Sequence, residues 1–111
     1  MAGSHYVFIE SRDAFDSADT GFVGDTASGL RQRGSAVTVF LVQNGVLATR
    51  TGARGSQLPR LIRAGVNVLA DDFSLQERGI EPGGLEAGVR EAPIEALVDL
   101  LTQPGTKALW H

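Results

Sequence analysis

The chain has 111 residues, 42% of them apolar and 21% charged, with a formal net charge of −3 and no cysteine. A single domain of this size buries roughly two-thirds of its unfolded surface, which supports a core without metal or disulfide staples. The acidic balance gives no electrostatic pull toward nucleic acid or an anionic membrane, and the lack of cysteine excludes disulfides, thiolate nucleophiles and cysteine metal sites.

The longest apolar stretch, Ala36 to Val42, is interrupted by Thr38 and falls far short of the ~20 residues of a membrane span. Met1 to His5 has neither the basic nor the apolar region of a signal peptide, so the cytoplasm is the expected compartment. Residues 1–4 are read as disordered or left over from cloning, and the remainder as one domain.

In chain order, the first element is a buried strand over His5 to Glu10, where Tyr6, Val7, Phe8 and Ile9 form a short run rich in β-branched and aromatic residues. The polar turn Ser11-Arg12-Asp13 leads to Asp16 and Ser17, either suited to cap a helix running to about Arg33. Phe15, Ala18, Phe22, Thr26 and Leu30 share the spacing of one helical face, and Gly34 ends the helix. Ala36 to Val42 reads as a central strand, because a near-continuous apolar run fits a strand covered on both faces. A long loop is expected from Gln43 to Gly55, because Val46 and Leu47 are too short a return strand to make Asn44-Gly45 a hairpin turn.

An amphipathic helix over Ser56 to Ala64 follows, with Leu58, Leu61 and Ile62 inward and Gly65 closing it. The strand Val66 to Ala70 then leads through Asp71-Asp72-Phe73-Ser74 into a short helix ending at Arg78-Gly79. The chain finishes with a Gly-rich connection, an extended piece around Val89, a helix from Pro93 to Thr102 and a strand from Lys107 to Trp110. Pro93 suits the first helical turn, where a missing N–H loses nothing. Strands alternating with crossover helices predict a three-layer α/β/α sandwich around a mainly parallel sheet of about five strands.

Four stretches carry a resemblance: Tyr6-Val7-Phe8-Ile9-Glu10-Ser11-Arg12-Asp13, Phe40-Leu41-Val42-Gln43-Asn44-Gly45-Val46, Gly65-Val66-Asn67-Val68-Leu69 and Ser74-Leu75-Gln76-Glu77-Arg78-Gly79-Ile80. In order and spacing, over most of the chain, they resemble the DsrE-like family. The resemblance implies the same α/β fold and self-association as a trimer or hexamer. In the sulfur-relay members a cysteine follows the strand equivalent to Val66 to Ala70, and the matching position here is Asp71. A carboxylate forms no S–S bond, so this chain is expected to lack persulfide transfer.

Asp71 and Asp72 follow a predicted parallel strand, where open α/β sheets place their ligands. Adjacent carboxylates can serve as acid and base or hold a hard cation; on general grounds one of them caps the short helix that runs from Ser74 to Arg78 and the other is solvated. Glu10, Ser11, Arg12 and Asp13 are expected on the same rim as Asp71, Gln43 and Asn44, with Gly45 beside them. Arg12 would grip a small anionic ligand, with backbone donors from Asn44 and Gly45, or pair with Asp13 or Asp71 instead.

Arg50, Arg54, Arg60 and Arg63 stand against five acidic residues between Glu10 and Asp25, an asymmetry suited either to solvation or to orienting subunits. The glycines at 52, 55, 83 and 84 match no nucleotide fingerprint, and His5 and His111 are too far apart in sequence to form a local metal motif. No cofactor, metal or catalytic residue is assigned.

Two functions remain: a self-associating module that binds a small ligand or a protein partner, favoured by apolar positions at Val46, Leu47 and Trp110, and an enzyme using Asp71 or Asp72 with or without a metal.

Overall fold

The alternation of apolar runs and capped helices yields a sheet whose strands all run the same way. The computed structural model describes residues 4–13, 20–53 and 56–111. Strands β1 (His5–Glu10), β2 (Ala36–Leu41), β3 (Asn67–Asp71), β4 (Arg90–Ala92) and β5 (Thr106–Trp110) pair in parallel in the order β4-β3-β2-β1-β5. Helices α1 (Thr20–Gln32), α2 (Leu58–Arg63), α3 (Asp72–Glu77) and α4 (Ile94–Leu101) join them, with 3-10 helices at Gln43–Thr49 and Pro82–Gly84. None of the described helices is long and apolar enough to cross a membrane.

Side chains alternate across the sheet, and the two faces are covered unequally. On one face Phe8, Val39, Leu41, Val68 and Ala70 pack against Val23 and Ala27 of α1, Leu58 and Leu61 of α2, and Leu75 of α3. On the other, Val7, Ile9, Phe40, Val42, Leu69 and Ala92 meet α4, mainly through Leu97. At the amino-terminal end of that second face a polar ladder crosses four strands. His5 Nε2 lies 2.8 Å from Thr38 Oγ1, Asn67 Nδ2 donates to the same oxygen (3.5 Å), and Arg90 Nη2 donates to Asn67 Oδ1 (2.7 Å). These bonds satisfy polar groups that the short α4 leaves at the edge of its core.

Several local expectations shift. In α1 the buried stripe is Val23 and Ala27, one residue beyond the predicted Phe22 and Thr26, while Leu30 packs beside them as expected and Phe22 is 69% exposed. The glycines at 21, 24 and 29 dilute the helix's apolar signal, so two neighbouring stripes fit the sequence almost equally well. Phe15, Ala18 and the expected caps Asp16 and Ser17 lie outside the described residues. Gly34 (φ +93°) closes α1, and the Ser35 N–H donates to the Leu30 carbonyl (3.2 Å). The predicted loop after β2 begins as the 3-10 helix, and Val46 within it is fully buried rather than exposed, while Leu47 is half-buried. Pro93 precedes α4 as its N-cap instead of entering its first turn.

Candidate functional site

Because the strands are parallel, their carboxyl ends bring Glu10, Val42, Asp71 and Ala92 to one rim, joined by His111 after β5. The chain leaves β1, β2 and β3 toward the face of α1–α3 but leaves β4 toward the face of α4. That reversal is the switch point at which open α/β sheets form a crevice. A groove of about 570 Å³, open to solvent, lies there. Val42 and Leu97 give it an apolar side, the rings of Phe73 and Trp110 border it at 64% and 67% exposure, and Asp71, Ser74 and Glu77 give it polar groups.

Asp71 is only 6% exposed. Its Oδ2 receives two hydrogen bonds, from the Ser74 N–H (3.0 Å) and the Ser74 hydroxyl (2.7 Å), so it is the N-cap of α3. Its Oδ1 is buried and has no hydrogen-bond partner among the described residues. The Ser74 hydroxyl in turn accepts from the Gln43 N–H (2.9 Å), tying the end of β2 to α3. Gln43 makes that bond with φ +50°, a left-handed conformation that costs a residue with a side chain about 1 kcal/mol. Arg78, also in the groove, is held along its wall: its Nε donates to Asn44 Oδ1 (3.1 Å) and its Nη1 to the Ser74 carbonyl (3.3 Å).

Glu10, at the same rim, points to the opposite face of the sheet. His111 Nδ1 lies 2.9 Å from Oε1 and 2.8 Å from Oε2, and the Arg12 N–H donates to Oε2 (2.9 Å). With two carboxylate oxygens as acceptors, Nδ1 carries the ring proton. The Ser11 N–H and hydroxyl both donate to the His111 carbonyl (2.8 Å each), and the His111 N–H donates to the Ile9 carbonyl (2.8 Å). These contacts lock the end of β5 onto β1.

The predicted site residues therefore divide. Asn44, Asp71 and Ser74 line the groove. Arg12 and Gly45 line a much smaller pocket of about 40 Å³ on the α1–α2 face, with apolar walls that include Val23 and Leu58. Arg12 forms no ion pair with Asp13 or Asp71 among the described residues, and it cannot serve a ligand in the groove, because the sheet stands between.

Gly45 is no anion donor: its N–H donates to the Val42 carbonyl (2.9 Å), and a side chain there would collide with the Glu10 carbonyl oxygen. Its role is to let the 3-10 helix seat against β1. Asp72 occupies the first turn of α3 and does not line the groove. No three His, Cys, Asp or Glu side chains among the described residues come together as metal ligands.

Among the arginines, Arg60 pairs within the chain with Asp25 (2.5 Å), and Arg50 Nε donates to the Leu47 carbonyl (2.9 Å). Arg54 lies outside the described residues. Sequence reasoning missed the groove's Phe73, Glu77 and Arg78, although the short helix after Asp71 was in view and its turn spacing places them on that rim. It also missed the Glu10–His111 pair, which follows once the last strand is set beside the first.

No family model matches the chain, and no curated protein matches it. Solved structures do. The protein of unknown function MTH1491 from Methanobacterium thermoautotrophicum superposes with a TM-score of 0.84 at 18% identity, over 97% of this chain and 99% of that one. The ychN protein from E. coli gives 0.84 at 18% identity over 97% and 98%. The conserved protein of unknown function BT1422 from Bacteroides thetaiotaomicron gives 0.79 at 16% over 99% and 97%. These likenesses establish the fold along the length of the chain: an α/β architecture with a five-stranded parallel sheet flanked by helices.

Proposed function

We propose that this chain is a DsrE-like protein without sulfur-transfer chemistry, which binds a small molecule in the Asp71 groove and associates with copies of itself through the α4 face. The observation that carries the reading is the switch-point groove and the buried carboxylate in it, one of whose oxygens has no hydrogen-bond partner among the described residues. A buried acceptor left unpaired costs about 1–3 kcal/mol, and a binding site is where such a cost is offset by a ligand.

Self-association is supported by α4 itself. Leu97 faces the sheet, while Ile94, Val98 and Leu101 form a second apolar stripe on the outer side, left exposed. A helix apolar on both sides is stable in water when both sides are covered. Trimer or hexamer is the assembly that the family resemblance implies. In this reading the protein works in the cytoplasm, where a fold without disulfides lacks nothing.

Native mass spectrometry of untagged protein tests both parts. The expected result is a trimer or hexamer carrying a retained small-molecule mass, with Val98→Asp shifting the assembly to monomer. A bare monomer at micromolar concentration would contradict the proposal.

A further inference from the structure

We infer that the groove is selective for a small organic cation, a primary ammonium on a short apolar body; the inference rests on the reading of the groove as a ligand site. The charges in the groove favour this sign. Asp71 and Glu77 outnumber the one basic lining residue, Arg78, whose guanidinium keeps its charge while bonded to Asn44 and the Ser74 carbonyl. Among the described residues neither acid has an ion-pair partner. The expectation of an anionic ligand depended on Arg12, which lines the pocket on the other face.

Bond directions narrow the class further. Asp71 Oδ2 is saturated by two donors from Ser74, which leaves the single oxygen Oδ1. A guanidinium seeks both oxygens of a carboxylate through its planar fork, whereas an ammonium is a compact point charge satisfied by one. Oδ1 itself is covered, so a donor reaches it only when a neighbouring side chain moves. The exposed rings of Phe73 and Trp110 present π faces that attract a cation, and Val42, Leu97 and Ile94 offer an apolar surface to the alkyl body.

Trp110 is the only tryptophan, so its fluorescence reports on the groove. The experiment titrates the full chain with n-butylammonium, n-butanol and butyrate, which share one alkyl body and differ in charge. A saturable change is expected with butylammonium at a midpoint at least about tenfold below that of butanol, with no saturation by butyrate. Asp71→Asn, which retains the cap, should abolish the preference for ammonium over alcohol. Glu77→Gln, at an exposed site, should weaken butylammonium about threefold, the size of one solvent-screened charge.

Glu77→Gln keeps the test decisive should Asp71→Asn fail to fold: unchanged butylammonium binding in it overturns the assignment. Saturation by butyrate, equal midpoints for butylammonium and butanol, or an ammonium preference that survives in Asp71→Asn also overturns the cation class while leaving the groove a ligand site. No response to any of the three compounds removes the ligand-binding reading along with it.

Discussion

Glu10 and Asp71 end two strands of the same parallel sheet and are equally buried, at 6% exposure each. They differ in what their oxygens meet. Both oxygens of Glu10 are engaged, by the His111 ring and the Arg12 N–H, and the result is a closed joint between the end of β5 and the start of the next loop. Asp71 directs one oxygen at its own helix and leaves the other without a donor among the described residues, beside an open groove. Burial alone does not mark a functional carboxylate. A buried acid with every acceptor satisfied is architecture, and one with an acceptor left over has room for a partner.

Substitutions around the two carboxylates sharpen the contrast. The largest effect is expected from Gly45→Ala, because its methyl group would meet the Glu10 carbonyl oxygen, a backbone atom that cannot swing aside. Denaturant unfolding should show a loss of about 3 kcal/mol, and the 3-10 helix would be pushed off β1. Asp71→Ala removes the cap of α3 and should cost about 1 kcal/mol, with amide exchange accelerating in 72–77 while β1 and β5 keep their protection. The smallest effect is expected from Gln43→Gly, which relieves the left-handed backbone and keeps the N–H bonded to Ser74. The midpoint of urea unfolding should rise by the equivalent of about 0.5 kcal/mol.

Much of this architecture was legible because local chemistry and the tertiary fold agree. The apolar runs at Val7–Ile9, Val37–Leu41 and Val68–Ala70 became strands, and Gly34 and Gly65 ended helices in left-handed conformations. Asp71 was legible as a rim residue for the same reason, since it directly follows a strand whose direction the crossover pattern dictates. The face of the sheet on which each rim residue lands was not legible. Arg12 follows β1 and Asp71 ends β3, yet a difference in side-chain parity and the passage of α4 to the far face separate them. Neither is written in local sequence. The same holds for Trp110: it sits in a paired strand, and only the three-dimensional layout shows that none of the described helices covers it.

The most direct test of the contrast is the equilibrium unfolding of Glu10→Gln and Asp71→Asn side by side. Each swap keeps the shape and removes the charge. If Glu10 is a closed joint, Glu10→Gln loses charge-assisted hydrogen bonds and costs about 2 kcal/mol. If Asp71 is held for a ligand, Asp71→Asn keeps the cap, relieves an uncompensated buried charge, and leaves stability within about 0.5 kcal/mol of the parent or above it. A loss at Asp71→Asn equal to that at Glu10→Gln would contradict the account, because both carboxylates would then be structural.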